Sequence, residues 1–295
     1  MQYNINNISK EYDFYIDGAS YAGNPRNNTM MYISKKVDYL IEKLIGKEEC
    51  LVFLENGIEV TNDLKKYNCL IFSDNPQLEY AKFATVFAHE QRKEEREWGY
   101  SLTDEGYYIG KNTTIGENSY IEPNVVIGHN VVIGNNAVIM AGAIIKHSFI
   151  GDNFVCNENA VIGANGFTMA DGDEKIRIPS LGRVVIKDNV EIGTNDNISR
   201  GSAGDTFIDN NVKIDALVHI GHDVVVKSNA EIVAGSVVGG YTEIGQGAFL
   251  GINSSVRNRK VIGDNVLVGM GAVVTKSFED KCTIVGNPAC KKYKC

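Results

Sequence analysis

Aliphatic residues recur at every sixth position between residues 109 and 274 of this 295-residue chain, and they predict a mainly β fold, a parallel β-helix. A period of six fits neither the 3.6-residue turn of an α-helix nor the two-residue alternation of a hairpin strand. Glycine contributes 30 residues and proline only 5, so the many turns must depend mainly on Gly and Asn. Residues 1–104 lack the repeat and predict a small α/β domain.

The repeat runs in four blocks, separated by short shifts of frame. Their aliphatic positions are Ile109, Ile115, Ile121, Ile127, Ile133, Ile139 and Ile145; Ile150, Cys156 and Ile162; Ile186, Ile192 and Ile198; and Ile208, Ile214, Ile220, Val226, Ile232, Val238, Ile244, Leu250, Val256, Ile262, Val268 and Val274. Each unit of six predicts one short strand, with the aliphatic side chain pointing inward, and one corner. Three units make a triangular coil, stacked on the next at about 4.8 Å.

The chain before residue 105 has the mixed pattern of an α/β domain. Short apolar runs at residues 30–33, 51–54 and 69–72 predict strands, and residues 37–45 have helical spacing. Asn75-Pro76 predicts the start of a second helix, because Asn caps helices and Pro suits their first turn. We therefore predict a substrate-binding domain over 1–104, a β-helix over 105–280 and a tail over 281–295.

Composition excludes several classes of protein. The chain is 43% hydrophobic and 22% charged, as expected of a globular protein, and its net charge of −8 argues against a nucleic-acid partner. Its longest apolar runs are too short to span a membrane, and its first residues do not form a secretory signal. Six cysteines without a C-x-x-C pair predict reduced thiols and a cytoplasmic location. The spacing of His residues indicates no metal site.

The repeat is interrupted between residues 164 and 183. A loop of this length inside a compact domain is usually functional or disordered. Phe167, Ile176, Ile178 and Leu181 are too apolar for a solvated linker, so we expect this loop to cover a neighbouring subunit or a substrate, with Phe167 as a substrate contact.

A series of motifs through this region resembles one enzyme family. The series contains Gly166-Phe167, Lys175, Ile178-Pro179, Gly182-Arg183-Val184, Val190-Glu191-Ile192-Gly193, Arg200-Gly201, Asp205-Thr206 and Ile220-Gly221-His222, preceded by Asp74-Asn75-Pro76. It resembles the UDP-3-O-acylglucosamine N-acyltransferases, which belong to the hexapeptide-repeat acyltransferases. The resemblance implies a left-handed coil, a homotrimer and active sites in the clefts between subunits. It also implies a uridine pocket at Tyr32, but Lys35 stands where that pocket has Asn.

The C-terminal part instead resembles the sugar acetyltransferases of the same superfamily. The shared motifs are His222-Asp223 and Gly286-Asn287-Pro288-Ala289. This resemblance implies coenzyme A beside Gly271, Ala272, Asn287 and Pro288, in place of the C-terminal helices with which the N-acyltransferases receive acyl carrier protein. Arg257, Arg259 and Lys276 add a basic cluster that would pair with coenzyme A phosphates or with an acidic carrier protein.

His222 is the predicted general base for acyl transfer, since an imidazole titrates near neutral pH. His129 and His147 occupy the same place in their repeats, so position alone does not distinguish them. His222 differs in its neighbours, with Asp223 adjacent and Asp215 seven residues earlier, and either carboxylate would orient the ring. Gly240, one coil of 18 residues later, would offer its N–H to an oxyanion, and His219 would contact substrate.

The sequence thus predicts an enzyme that moves an acyl group, acetyl from acetyl-CoA, to an amino group of a nucleotide-linked sugar. The alternative enzyme uses a 3-hydroxyacyl carrier protein in lipid A synthesis. An alternative of another class is a non-catalytic β-helix that binds sugar or acts as a scaffold.

Overall fold

A computed structural model describes residues 2–173 and 175–292, which form two compact units. Unit 1 comprises Met1–Glu97, Phe167–Gly182 and Ser202–Gly204, whereas unit 2 comprises Trp98–Gly166, Arg183–Gly201 and Asp205–Cys295. Cys295 and the rest of the predicted tail after residue 292 lie outside the described residues.

Unit 2 is a three-sided stack of short strands, most of them parallel to their neighbours one coil away. The first face contains Tyr100–Leu102, Tyr108–Gly110, Val126–Ile127, Ile144–Ile145, Val161–Ala164, Asn197–Ser199, His219–Ile220, Val237–Val238, Ser255–Val256 and Val273–Val274. The second face contains Thr114–Ile115, Val132–Ile133, Ser148–Ile150, Arg183–Ile186, Asp205–Ile208, Val225–Val226, Glu243–Ile244 and Val261–Ile262. The third face contains Tyr120–Ile121, Val138–Ile139, Val155–Cys156, Glu191–Ile192, Lys213–Ile214, Glu231–Ile232, Phe249–Leu250, Leu267–Val268, Thr283–Val285 and Cys290–Lys291.

The aliphatic repeat forms the core of this stack. Ile127 lies in register between Ile109 and Ile145 on the first face, and its side chain is completely buried. The other inward positions stack in the same way and make one continuous cluster along unit 2. The predicted parallel β-helix is therefore confirmed, and each inward position contributes by removing apolar surface from water.

The corners require a left-handed backbone conformation, with φ between +50° and +65° at most of them. Asn fills most of these positions, since its short polar side chain tolerates that region better than other non-glycine residues do. Asn side chains also bond from coil to coil, as from Asn112 Nδ2 to Asn130 Oδ1 at 3.2 Å. Three corners connect the faces. The first corner leads from the first face to the second, the second corner from the second face to the third, and the third corner from the third face to the first.

The third face continues into the segment predicted as a tail. Thr283–Val285 pairs in parallel with Leu267–Val268, and Cys290–Lys291 pairs with it in the antiparallel direction. Ile284 and Ala289 are buried in the core cluster of unit 2. This segment therefore extends the solenoid as far as the structure describes it.

Unit 1 is built on a four-stranded parallel sheet in the order Gly18–Ala19, Thr29–Ile33, Leu51–Glu55 and Cys69–Ser73. Two α-helices accompany it, α1 (Asn62–Tyr67) and α2 (Pro76–Trp98). The segment predicted as a helix at 37–45 is 3₁₀-helical over Lys35–Leu44, with a kink at Val37. A 3₁₀ turn, Ile5–Asn7, and a small antiparallel pair, Tyr3–Asn4 with Tyr15–Ile16, precede the sheet. No helix among residues 2–173 and 175–292 is both long and apolar enough to cross a membrane.

The interrupting loop contributes a hairpin to unit 1, Thr168–Ala170 paired with Ile176–Ile178. Ala170 and Ile178 are buried in the same apolar cluster as Tyr80 and Phe87 of helix α2. The expectation that the loop's apolar residues cover a neighbouring subunit or a substrate is therefore not met for Ile178, nor for Ile176 and Leu181, which pack against the same cluster. Their hydrophobic surface completes the core of unit 1.

Candidate active site

His222 lies at the first corner, directly after the strand His219–Ile220 and Gly221. Its Nδ1 is 2.9 Å from Asp223 Oδ2, and the two side chains are only 14% and 7% exposed. Asp223 has a φ of +56°, and its N–H donates to Thr206 Oγ1 at 2.9 Å. A carboxylate fixed in this way favours a proton on Nδ1, which leaves Nε2 as the basic nitrogen.

Two glycines make room for the imidazole. A Cβ on Gly240, one coil later, would stand 2.8 Å from both Nε2 and Cε1 of His222. A Cβ on Gly166 would stand 2.7 Å from the Cβ of the same histidine. Both distances are shorter than any normal carbon contact, so only glycine allows the ring its observed place.

The backbone of Gly240 has the properties expected of an oxyanion donor. Its neighbours Gly239 and Tyr241 donate their N–H groups to the carbonyl oxygens of Val256 and His222, at 2.9 and 3.0 Å. Within the described part of the chain, no acceptor receives the N–H of Gly240 itself. This N–H is therefore available, beside Nε2 of the candidate base, to stabilise developing negative charge.

An aromatic and a basic residue extend this group toward the end of the solenoid. The rings of Tyr241 and His222 are perpendicular, with centroids 5.0 Å apart. The guanidinium carbon of Arg259 lies 4.4 Å from the centroid of Tyr241. Three successive coils thus place an imidazole, a phenol ring and a guanidinium in one row.

Of the other predicted donor-binding residues, Arg257 and Lys276 also lie at the first corner, and both are exposed. Lys276 borders a cavity of about 450 Å³. The remaining residues around that cavity are Ser277, Phe278, Glu279, Cys290 and Lys291. Lys291 Nζ pairs with Glu279 Oε2 at 3.0 Å, so Lys276 contributes the positive charge that a phosphate group needs.

Asn287 and Pro288 lie in the turn between Thr283–Val285 and Cys290–Lys291, the last two strands of the third face, whereas Asp215 and Gly271 lie at the third corner. Asp215 accepts the N–H groups of Ala216 and Ala234 at 2.8 and 3.2 Å, so it supports the turn there. Ala272 is buried in the core, and its N–H and carbonyl pair with Gly269 and Ser255.

The sequence left open whether Asp215 or Asp223 is the carboxylate partner of His222. In the structure, the carboxylate that contacts His222 is that of Asp223.

The other histidines of unit 2 have different surroundings. Partial burial lowers the pKa of His219, and the positive charge of a protonated His222 acts in the same direction. His129 is buried, and its Nδ1 accepts the N–H of Lys111 at 2.8 Å. Burial lowers the pKa of His147 to about 3, helped by the positive charge of Arg200. Among the described residues, no three His, Cys, Asp or Glu side chains cluster as metal ligands do.

The predicted substrate residues of unit 1 are found in two places. Tyr32 and Lys35 lie at the carboxyl end of the strand Thr29–Ile33, where Gln77 donates to the Tyr32 hydroxyl at 3.3 Å. The N–H of Lys35 donates to Glu55 Oε2 at 2.8 Å, which joins two adjacent strand ends. Phe167 precedes the hairpin of the interrupting loop and is 74% exposed, with the Arg177 guanidinium 5.5 Å from its ring centroid.

Sequence reasoning did not select Gly166, Thr206 or Tyr241 as site residues. Gly166 and Thr206 belong to motifs that carried the family resemblance, but their roles depend on which coils become neighbours across the interruption. The sequence carries a local signal for Tyr241. This residue occupies the corner position that holds Asn112 and Asn130 in earlier coils, and a tyrosine there is unexpected.

Models of protein families match the solenoid in three segments. The family described as bacterial transferase hexapeptide (six repeats) matches residues 112–147 and 205–240. A second family, the hexapeptide repeat of succinyl-transferase, matches residues 241–276. The chain contains acyltransferase-type hexapeptide repeats. The resemblance inferred from the motifs is confirmed at this level.

Relatives of known activity align with part of the chain. The UDP-3-O-acylglucosamine N-acyltransferase of Caulobacter sp. (strain K31) is 39% identical over 125 residues, 42% of this chain and 37% of that protein. The enzyme of the same name from Wolinella succinogenes is 34% identical over 123 residues, 39% of its length. The hexapeptide-repeat chain thus spans less than half of the curated relatives that it matches.

Solved structures with the same fold include a UDP-N-acetylglucosamine acyltransferase from Bacteroides fragilis. It is 27% identical with a TM-score of 0.58, and the match covers 65% of this chain and 74% of that one. The UDP-N-acetylglucosamine acyltransferase from Campylobacter jejuni has a TM-score of 0.57 at 23% identity, with the same coverage. The hexapeptide repeats therefore form the left-handed parallel β-helix that the resemblance implied.

Proposed function

We propose that this chain is a cytoplasmic acyltransferase that moves an acetyl group from acetyl-CoA to an amino group of a nucleotide-linked sugar. The observation that carries the proposal is His222, bound to a carboxylate through Nδ1 and enclosed by two glycines. This arrangement provides a base and an oxyanion donor side by side, which is what acyl transfer from a thioester requires.

In the proposed reaction, the nitrogen of the acceptor amine attacks the thioester carbonyl, and Nε2 of His222 removes a proton from that amine. Asp223 stabilises the resulting imidazolium, and the N–H of Gly240 stabilises the oxyanion of the tetrahedral intermediate. Collapse of this intermediate breaks the C–S bond, and the imidazolium returns its proton to the departing thiolate. The products are an amide and free coenzyme A, and no covalent enzyme intermediate forms.

For the nucleotide-sugar acceptor, we assign the carboxyl ends of the parallel strands in unit 1. Ligands of open parallel α/β sheets bind outside these strand ends, where Tyr32 and Lys35 lie. An aromatic ring suits stacking on a base, and a lysine suits a phosphate. Phe167 and His219 remain candidate acceptor contacts under this proposal.

For the donor, we assign the cavity that Lys276 borders near the end of the solenoid. Its volume of about 450 Å³ and the positive charge of Lys276 support binding of a phosphate-bearing cofactor. Gly271 lies at the third corner, and Asn287 and Pro288 shortly precede Cys290, which borders this cavity. The homotrimer that the family resemblance implies is part of the same proposal.

A second candidate is the transfer of a 3-hydroxyacyl group from acyl carrier protein in lipid A synthesis. It is favoured by the names of the relatives that match this chain, which are UDP-3-O-acylglucosamine N-acyltransferases. In that reaction the exposed Arg257 would receive the acidic carrier protein, while His222 and Gly240 would keep the same roles.

Isothermal titration with acetyl-CoA, and in parallel with holo-acyl carrier protein, separates the two reactions. We expect micromolar binding of acetyl-CoA that is weakened at least tenfold by Lys276→Glu. Lys93→Glu on helix α2 makes the same charge change in unit 1 and serves as the control. Binding of the carrier protein alone would favour the second candidate.

A screen for coenzyme A release with amino-sugar nucleotides then tests catalysis itself. Release that depends on one acceptor supports the proposed acyltransferase and identifies its substrate. Sugar-nucleotide binding without release, with either donor, would instead indicate the non-catalytic β-helix.

A further inference from the structure

At the first corner, the residue type in the left-handed position changes beside the candidate active site. In the coils before the interruption its left-handed position holds Asn112, Asn130 and His147, with φ values of +58°, +55° and +50°. In three successive later coils the same position holds Asp223, Tyr241 and Arg259, with φ values of +56°, +60° and +59°. A tyrosine or an arginine in this conformation is strained, and such strain is typically kept at functional sites.

The backbone register shows that these residues are stacked neighbours. The N–H of Tyr241 donates to the carbonyl of His222, and the N–H of Arg259 donates to the carbonyl of Gly240, both at 3.0 Å. The strained conformation therefore places each side chain one coil beyond the one before it. Asn at these two corners would satisfy the backbone equally well, so the fold alone does not require Tyr and Arg.

The side chains use this placement to enclose the imidazole. Asp223 Oδ2 fixes one edge of His222 through Nδ1, at 2.9 Å. The ring of Tyr241 meets the imidazole at an interplanar angle of 89° with centroids 5.0 Å apart, a favourable aromatic geometry. The Arg259 guanidinium lies over Tyr241, 4.4 Å from the ring centroid, and a cation in that position is attracted to the ring.

We propose that Tyr241 is a positioning residue for His222 and that Arg259 holds Tyr241 in place. This inference rests on the proposed acyl transfer, in which Nε2 must point at the amine. The bond to Asp223 holds one edge of the ring, and the perpendicular ring of Tyr241 restricts rotation of the imidazole about that contact. Ionisable groups near His222 include Asp223 at Nδ1, His219 on the preceding strand, and Arg259 across Tyr241.

The sharpest test replaces Tyr241 with the residue that the same corner uses elsewhere. Tyr241→Asn relieves the strained backbone, so we expect an unchanged or higher melting temperature. We also expect kcat to fall about 10- to 100-fold, with KM within about twofold, because the base loses its orientation. Tyr241→Phe keeps the ring and is expected to retain most of kcat, whereas Arg259→Asn should lower it about 3- to 10-fold.

A readout independent of catalysis keeps this test valid if the proposed reaction is wrong. In ¹⁵N NMR spectra, the Nδ1–H of His222 should give a signal protected by its bond to Asp223, assigned by its loss in His222→Asn. We expect this signal to persist in Tyr241→Phe and to broaden through solvent exchange in Tyr241→Asn. An unchanged signal and an unchanged kcat in Tyr241→Asn would each overturn the positioning role, whatever the substrate proves to be.

Discussion

His147 and His222 follow strands of the same face at the same corner of the solenoid, yet their surroundings differ. His147 lies near the positive charge of Arg200, and burial lowers its pKa to about 3, so it stays neutral. His222 has Asp223 Oδ2 at 2.9 Å from Nδ1, and a Cβ on Gly240 would stand 2.8 Å from its Nε2. The repeat thus determines where each histidine lies, and residues of the neighbouring coils determine which groups surround its ring.

The difference originates in the length of the two coils. A one-residue deletion after residue 145 puts His147 itself in the left-handed corner conformation, with a φ of +50°. At the later coil this conformation belongs to Asp223, and His222 precedes it. Only the longer corner provides a separate residue whose carboxylate can bind the imidazole.

The largest expected effect comes from removing the imidazole of His222, with removal of the His147 imidazole as the comparison. His222→Ala should lower kcat about 10²- to 10⁴-fold, the usual contribution of a general base. His147→Asn should leave kcat unchanged, because Asn suits the corner conformation and His147 has no role in the proposed reaction. Steady-state kinetics with the identified donor and acceptor measures both, and a loss of activity in His147→Asn would refute the distinction.

An intermediate effect is expected from closing the space beside the base. In Gly240→Ala the new Cβ would meet Nε2 and Cε1 of His222 at 2.8 Å, so the ring must move. We expect kcat to fall about 10- to 100-fold, since misplacing a catalytic group by about 1 Å has that cost. Gly18→Ala in unit 1 is the matched control, because its Cβ meets no atom within 4 Å. Equal kinetics for the two variants would contradict the proposed packing.

The smallest effect concerns the pH dependence of stability. The folded state keeps His147 neutral down to about pH 3, whereas the unfolded chain binds a proton near pH 6.5. Stability from this group is therefore present above pH 6.5 and is lost as the pH falls, by at most about 1.4 kcal/mol per pH unit. Urea unfolding at pH 7 and pH 5 should show a smaller pH effect in His147→Asn. Parallel curves for the two proteins would argue against a buried neutral imidazole.

The sequence was sufficient for much of the fold, because a six-residue period has few structural solutions. It also brought His222 and Gly240 together correctly, since residues one coil apart in an uninterrupted run must stack. It failed where stacking crosses the interruption, as for Gly166, because the length of an inserted segment does not determine which coil follows it. It also assigned Ile178 to a neighbouring subunit or a substrate, whereas this residue packs in the core of unit 1, since apolar loop residues do not specify their partner.

Two segments inserted within the solenoid sequence complete unit 1. They determine how much of the chain must be translated before that unit can finish folding. The hairpin at Thr168–Ala170 and Ile176–Ile178, together with Ser202–Gly204, belongs to the unit that begins at the N-terminus. A ribosome must therefore translate several coils of the solenoid before the core of unit 1 has all its side chains. A fragment that stops at residue 97 would lack Ala170 and Ile178, so unit 1 cannot complete its core as soon as its N-terminal segment has been translated.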